Sequence, residues 1–328
     1  MANKPQLSIY WAASCGGCEI AILNLHERLL DLDAAFDLVF CPCLLDTKKK
    51  DIEALPDRSI ALTLVNGALR TGENREMARL LRRKSQLLIG FGACAHQGGI
   101  PALANLDPAG PLPAIYLEGP TTPNPARTLP LPETTVPEGT LQLPPFLGRV
   151  APLAEEVAVD YFIPGCPPEP EQVWKALDPV IQGKPLPPLG SALGAGRSAV
   201  CAECGRRKRE KKISRFHRTW EIVPDPEQCL LDQGLVCMGP ATRDGCGALC
   251  PQVSMPCTGC YGPPEGVADQ GAAMVAALGS ILDIGPITGL SPEEIAARID
   301  EVLGSLPDVA GTFYKYSLAG SLLKGRLP

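Results

Sequence analysis

A chain of 328 residues with 45% hydrophobic content has room for two domains and can bury at least one sizeable core. A net charge of −6 argues against a nucleic-acid binder. No apolar run approaches the ~18 residues of a membrane span, and the N-terminus shows no basic leader or cleavage site. The expectation is therefore a cytoplasmic protein. Disulfides are rare there, so clustered cysteines read as metal sites or redox chemistry. The 35 prolines, about twice the usual share, point to long irregular connections.

Residues 7–11 (LSIYW) predict a buried strand, ended by a tight turn at Gly16 and Gly17. Over 19–32, apolar residues at Ile22, Leu25, Leu29 and Leu32 have helical spacing. Further strands are expected at 36–45, 60–65, 86–91 and 157–163, with helices at 73–84 and 169–181. Strands alternating with helices imply an α/β fold with a parallel sheet. The stretch 100–152 carries 13 prolines and little pattern, as an interaction loop would. A Pro/Gly/Ser linker at 183–196 suggests a division into a first domain, 1–190, and a Cys-rich domain, 191–328. Helices are expected at 271–283 and at about 291–303, the second opened by a capping box at Ser291 and Glu294.

Eight of the 14 cysteines fall within 201–260: Cys201, Cys204, Cys229, Cys237, Cys246, Cys250, Cys257 and Cys260. That run is rich in Gly and Pro and poor in apolar periodicity, so it cannot close a core of its own. Eight thiols suit two four-thiolate sites, whose metal would supply the missing folding energy. Zinc and iron–sulfur clusters both accept such spacings. A separate set arises from strand order. Cys15 and Cys18, Cys94, and Cys166 each follow a predicted strand. The carboxyl ends of parallel strands share one edge, so these four converge on a third site. Cys41 and Cys43 (FCPCLLD) are either a redox-active pair or plain thiols near a strand end.

Taken together, SCGGCE (14–19), GACAHQGGIPAL (92–103), PGCPP (164–168), CAECGR, QGLVCMGPATRDGCGALCP and PCTGCYGP resemble the small subunit of [NiFe]-hydrogenases. Within that family they are similar to the cytosolic F420-non-reducing (methyl-viologen-reducing) branch, which works with heterodisulfide reductase. The resemblance implies a flavodoxin-like first domain, then an irregular Cys-rich domain with a few short helices. It implies three [4Fe–4S] clusters: a proximal one on Cys15, Cys18, Cys94 and Cys166, a medial one on Cys246, Cys250, Cys257 and Cys260, and a distal one on Cys201, Cys204, Cys229 and Cys237. It also implies a large subunit that holds the nickel–iron centre, and a further electron-accepting subunit of heterodisulfide reductase, ferredoxin or flavin type. On this reading no residue of the chain is itself catalytic. Many family members have His where this chain has Cys201, and Pro where it has Cys250. Cysteine at both positions implies four-iron clusters of low potential.

Glu19 reads either as a participant in proton movement or as a solvated acid at a helix start. His96 reads as a hydrogen-bond partner of the cluster or as a structural histidine. The basic run 206–212 (RRKREKK) reads as a solvated face or as a docking site for an acidic redox partner. The alternatives to a hydrogenase subunit are a stand-alone iron–sulfur carrier and a zinc-stabilised interaction module.

Overall fold

The computed structural model describes residues 4–107, 111–119, 121, 123–209, 213–306 and 308–324. The chain divides into two compact units, Met1–Leu193 with Leu318–Pro328, and Gly194–Ser317. The tail from Leu318 thus leaves the expected 191–328 domain and joins the first unit. There Gly320 N–H donates to Gln97 O at 3.1 Å, and Ala319 is buried in a small cluster with Cys94.

The first unit runs β1 (Gln6–Trp11), α1 (Gly17–Leu23), α2 (Arg28–Ala35), β2 (Asp37–Phe40), α3 (Lys49–Ala54), β3 (Ile60–Asn66), β4 (Leu69–Thr71), α4 (Gly72–Lys84), β5 (Ser85–Phe91) and α5 (Gly92–Gln97). It continues with β6 (Glu133–Val136), β7 (Gly139–Gln142), β8 (Phe146–Ala151), β9 (Tyr161–Ile163) and α6 (Pro170–Ile181). Five strands form one parallel sheet in the order β2-β1-β3-β5-β9, which is the flavodoxin-like order.

Both faces of the sheet are covered, as period-2 side-chain alternation requires of buried parallel strands. Leu62 and Leu64 face a cluster with Ile22, Val173 and Leu177, while Val65 and Leu88 face Met77, Leu80 and Leu81. Thr71 caps α4, accepting from Asn74 N–H at 3.3 Å, and the Asn74 side chain accepts from Thr71 N–H at 3.1 Å.

Two local expectations fail. The single helix over 19–32 is two helices, broken where His26 adopts φ 54°. The apolar period survives the break because Leu25 and Leu32 both reach the same core. The proline-rich stretch is not structureless either: β6 and β7 form an antiparallel hairpin, and β8 pairs with β4. Short strands with proline at their ends lack the run length that a sequence pattern needs.

The second unit contains α7 (Leu249–Gln252), α8 (Gln270–Gly279), α9 (Pro292–Leu303) and α10 (Val309–Phe313) among short turns. The capping box at Ser291 is present: Ser291 N–H donates to Glu294 at 2.8 Å, and Glu294 N–H to Ser291 Oγ at 3.2 Å. Phe216, Leu235 and Met238 from the cysteine-rich run pack with Met274, Leu278 and Phe313 of the helices. The run therefore shares a core with the helices that follow it.

Phe91 is fully buried at the end of β5 and leads into the loop of Cys94. Phe91→Ala should destabilise the first unit by about 3–5 kcal/mol, the usual range for a buried Phe truncation. A lowered denaturant midpoint would show this.

Candidate metal centres

Cys15 and Cys18 follow β1, Cys94 follows β5 and Cys166 follows β9, all at the carboxyl edge of the sheet. Ala93 N–H donates to Gly165 O at 2.7 Å, tying the Cys94 loop to the Cys166 loop. Buried Gln172 donates to Pro164 O at 3.0 Å and holds the Cys166 loop to α6. Gly92 has φ +84°, and a Cβ there would overlap Cys18 Sγ. Gly99, with φ +59°, stands in the same relation to Cys94 Sγ.

These four thiols lie within electrostatic reach of one another. Burial pushes Cys18 well up, and Cys94, Glu19, Cys166 and Cys15 add to it. Cys94 is pushed up to about 12 by burial and then by Cys166 and Cys15. Cys166 is raised by burial and by Cys15.

In the second unit, Cys201, Cys204, Cys229 and Cys237 line one cavity of about 280 Å³, with Arg206, Lys208 and Asp232 on the same wall. Cys257 is pushed up to about 12 by burial; a backbone hydrogen bond from Gly259 and a contact with Thr242 oppose this, and Cys260 and Cys246 add to it. Cys246 is raised by burial, accepts from the backbone at Ala248 and Leu249, and has Cys250 as a neighbour. Cys237 is likewise pushed up to about 12, chiefly by burial and then by Cys257. The two sets touch where Cys257 N–H donates to Cys237 Sγ at 3.3 Å.

This donor chemistry fits a metal-bound thiolate. A buried thiol resists ionisation, and a bound cation reverses that preference. Backbone N–H groups directed at sulfur suit an anionic acceptor. All-sulfur sites are those of zinc or iron–sulfur clusters. Among the described residues, no three His, Cys, Asp or Glu side chains form a single-ion site.

Other sequence candidates fall into place around these sets. Glu19 is not a solvated acid: the fully buried Asn66 donates to its Oε1, and its Oε2 is buried without a hydrogen-bond partner. His96 packs its ring on Phe162 of β9, with centroids 4.4 Å apart. Cys41 and Cys43 interact with each other and with Glu19, outside the set of four. In the basic run, Arg207 pairs with Glu227, and Arg206 is bound to backbone carbonyls. Residues 210–212 lie outside the described residues. Sequence reasoning missed Glu203 and Arg206 as loop anchors, since neither has a spacing that signals its distant partners.

Gly92→Ala should displace Cys18 Sγ and lower any metal held by the first unit. Metal analysis of the purified protein beside the wild type would check this.

A parallel α/β sheet with cysteines at its carboxyl edge defines a class: the family described as NADH ubiquinone oxidoreductase, 20 kDa subunit, matches residues 15–180. The F420-non-reducing hydrogenase iron-sulfur subunit of Archaeoglobus profundus is 39% identical over 332 residues, covering 98% of each chain. The corresponding F420-non-reducing hydrogenase subunit of Methanothermobacter marburgensis is 35% identical over 327 residues, covering 98% of this chain and 97% of its own. The chain belongs to this family of F420-non-reducing hydrogenase iron-sulfur subunits, among the electron-transfer small subunits of [NiFe]-hydrogenases. Its fold is similar to that of a Dm. baculatum [NiFeSe]-hydrogenase chain, with a TM-score of 0.51, 18% identity, and coverage of 80% of this chain and 96% of that one.

Proposed function

We propose that this chain carries three [4Fe–4S] clusters and passes electrons between a hydrogenase large subunit and a further redox protein in the cytoplasm. Cys15, Cys18, Cys94 and Cys166 would hold the proximal cluster. Cys246, Cys250, Cys257 and Cys260 would hold the medial cluster, and Cys201, Cys204, Cys229 and Cys237 the distal one. The observation that carries this reading is the shared cavity: four cysteines spread over 37 residues of chain line one cavity. When bound, such clusters supply one-electron redox chemistry.

The chain's own residues set the conditions for that chemistry. The sheet edge and its glycine turns bring the loops of Cys15 and Cys18, Cys94 and Cys166 within electrostatic reach of one another, which supports one shared site. Backbone N–H groups at Gly239, Gly259, Ala248 and Leu249 hydrogen-bond the sulfurs and favour their anionic form. Low-dielectric surroundings keep water from the buried sulfurs Cys18, Cys94, Cys237 and Cys257. The chain's part is conduction; hydrogen splitting would belong to the large subunit. The electron acceptor would be of heterodisulfide reductase, ferredoxin or flavin type.

Affinity purification from cells, without oxygen, tests the reading. A nickel-containing large subunit and about 12 iron atoms per copy of this chain are expected, four for each cluster. A brown monomer without nickel would indicate a stand-alone carrier, and zinc without iron an interaction module.

Cys250 is exposed and would supply the fourth thiol of its set. Cys250→Ala should leave that site with three iron atoms and a higher potential, since one anionic ligand is gone. A new [3Fe–4S] EPR signal near one spin per chain is expected. An unchanged spectrum would remove Cys250 from the ligand set.

A further inference from the structure

Arg206 stands two residues after Cys204 and forms part of the wall of the cavity that Cys201, Cys204, Cys229 and Cys237 line. Its guanidinium donates four hydrogen bonds. Nε reaches Pro251 O at 2.9 Å, Nη1 reaches Asp225 O at 2.8 Å and Gln228 O at 3.0 Å, and Nη2 reaches Ser254 Oγ at 2.9 Å. Gln228 precedes Cys229, and Pro251 follows Cys250. One side chain therefore pins a cysteine loop from each set. All four acceptors are neutral; Lys208 and Asp232 also line the cavity.

Glu203 stands one residue before Cys204 and reaches the other set. Its Oε1 and Oε2 accept from Gly245 N–H at 3.0 Å, and Oε2 accepts from Gly247 N–H at 3.0 Å. These two amides flank Cys246.

We propose that Glu203 and Arg206 are positioning residues that hold the ligand loops of both sets from one short segment and bias the two clusters' potentials in opposite directions. This rests on the ligand assignment above. A fixed positive charge favours the reduced, more negative state of a cluster, and a fixed negative charge favours the oxidised state. Coulomb energy falls with distance, so each charge acts most on the set it adjoins. Arg206 raises the potential of the cluster on Cys201, Cys204, Cys229 and Cys237. Glu203 lowers that of the cluster on Cys246. The effect of Glu203 is the weaker, because its carboxylate is exposed and screened. A planar fork with donors on three sides is needed to serve loops in different directions, and lysine cannot replace it.

The test is an EPR-monitored redox titration of the intact, iron-loaded complex, with a chelator challenge in parallel. Arg206→Met should shift the redox equilibrium of the Cys201 set about tenfold toward the oxidised form, which is about 59 mV for one electron. Arg206→Lys keeps the charge and loses the fork, so its potential should stay near wild type while both sets of the second unit lose iron several-fold faster to the chelator. Glu203→Gln still accepts both amides through its carbonyl oxygen. It should retain iron normally and shift the Cys246 set severalfold toward the reduced form.

Unshifted potentials in Arg206→Met and Glu203→Gln, with full wild-type iron, would overturn this inference alone. Equal potentials in Arg206→Lys and Arg206→Met would do the same. Should Arg206→Met fail to assemble, Glu203→Gln and Arg206→Lys still decide the matter. A wild-type complex without iron would overturn the ligand assignment, and the inference with it.

Discussion

Buried sulfur is the constraint on which the rest depends. Cys18, Cys94, Cys237 and Cys257 are all withdrawn from water, and all are driven toward the neutral thiol by that withdrawal. Sulfur of this kind is inert unless a cation joins it. The surrounding backbone is arranged for that case, with amides directed at sulfur and glycines where a Cβ would collide with it. The fold brings the thiols together, and a bound metal adds its own binding energy to folding.

The two units meet this constraint differently. The first has a five-stranded sheet buried on both faces, and its cysteines stand on loops that the sheet already brings to one edge. Its geometry is set by strand register, so the thiols need little further support. The second has no sheet of that kind among its described residues. Its cysteines are placed by short turns, by packing against α8 and α10, and by side chains that reach between loops. There the charged residues Glu203 and Arg206 take over the work that hydrogen-bonded strands do in the first unit. Loops held by a few side-chain contacts open more readily than a sheet edge does.

Membership of a hydrogenase small-subunit family fits this division. An electron-transfer subunit must hold its metal groups rigidly and tune each to its neighbours, and both tasks fall to residues around the ligands. Two residues of the basic run have partners within the chain. Arg206 is committed to carbonyls and Arg207 to Glu227, so a docking role for the described part of that run rests on Lys208 and Arg209.

By itself the sequence determined the alternation of strand and helix, the placement of Cys15, Cys18, Cys94 and Cys166 at strand ends, and the family. Each of these is written in local order: a period of two or 3.6, a capping box, a cysteine just after an apolar run. Tertiary structure alone decided that His26 breaks a helix whose apolar period continues through it. It also decided that the proline-rich stretch pairs β8 with β4, that the tail from Leu318 packs beside Cys94, and that Arg206 joins loops 19 to 48 residues away. The physical reason is the range of the contacts. A single residue meeting distant backbone leaves no periodic trace in the chain, and its partner exists only once the chain has folded.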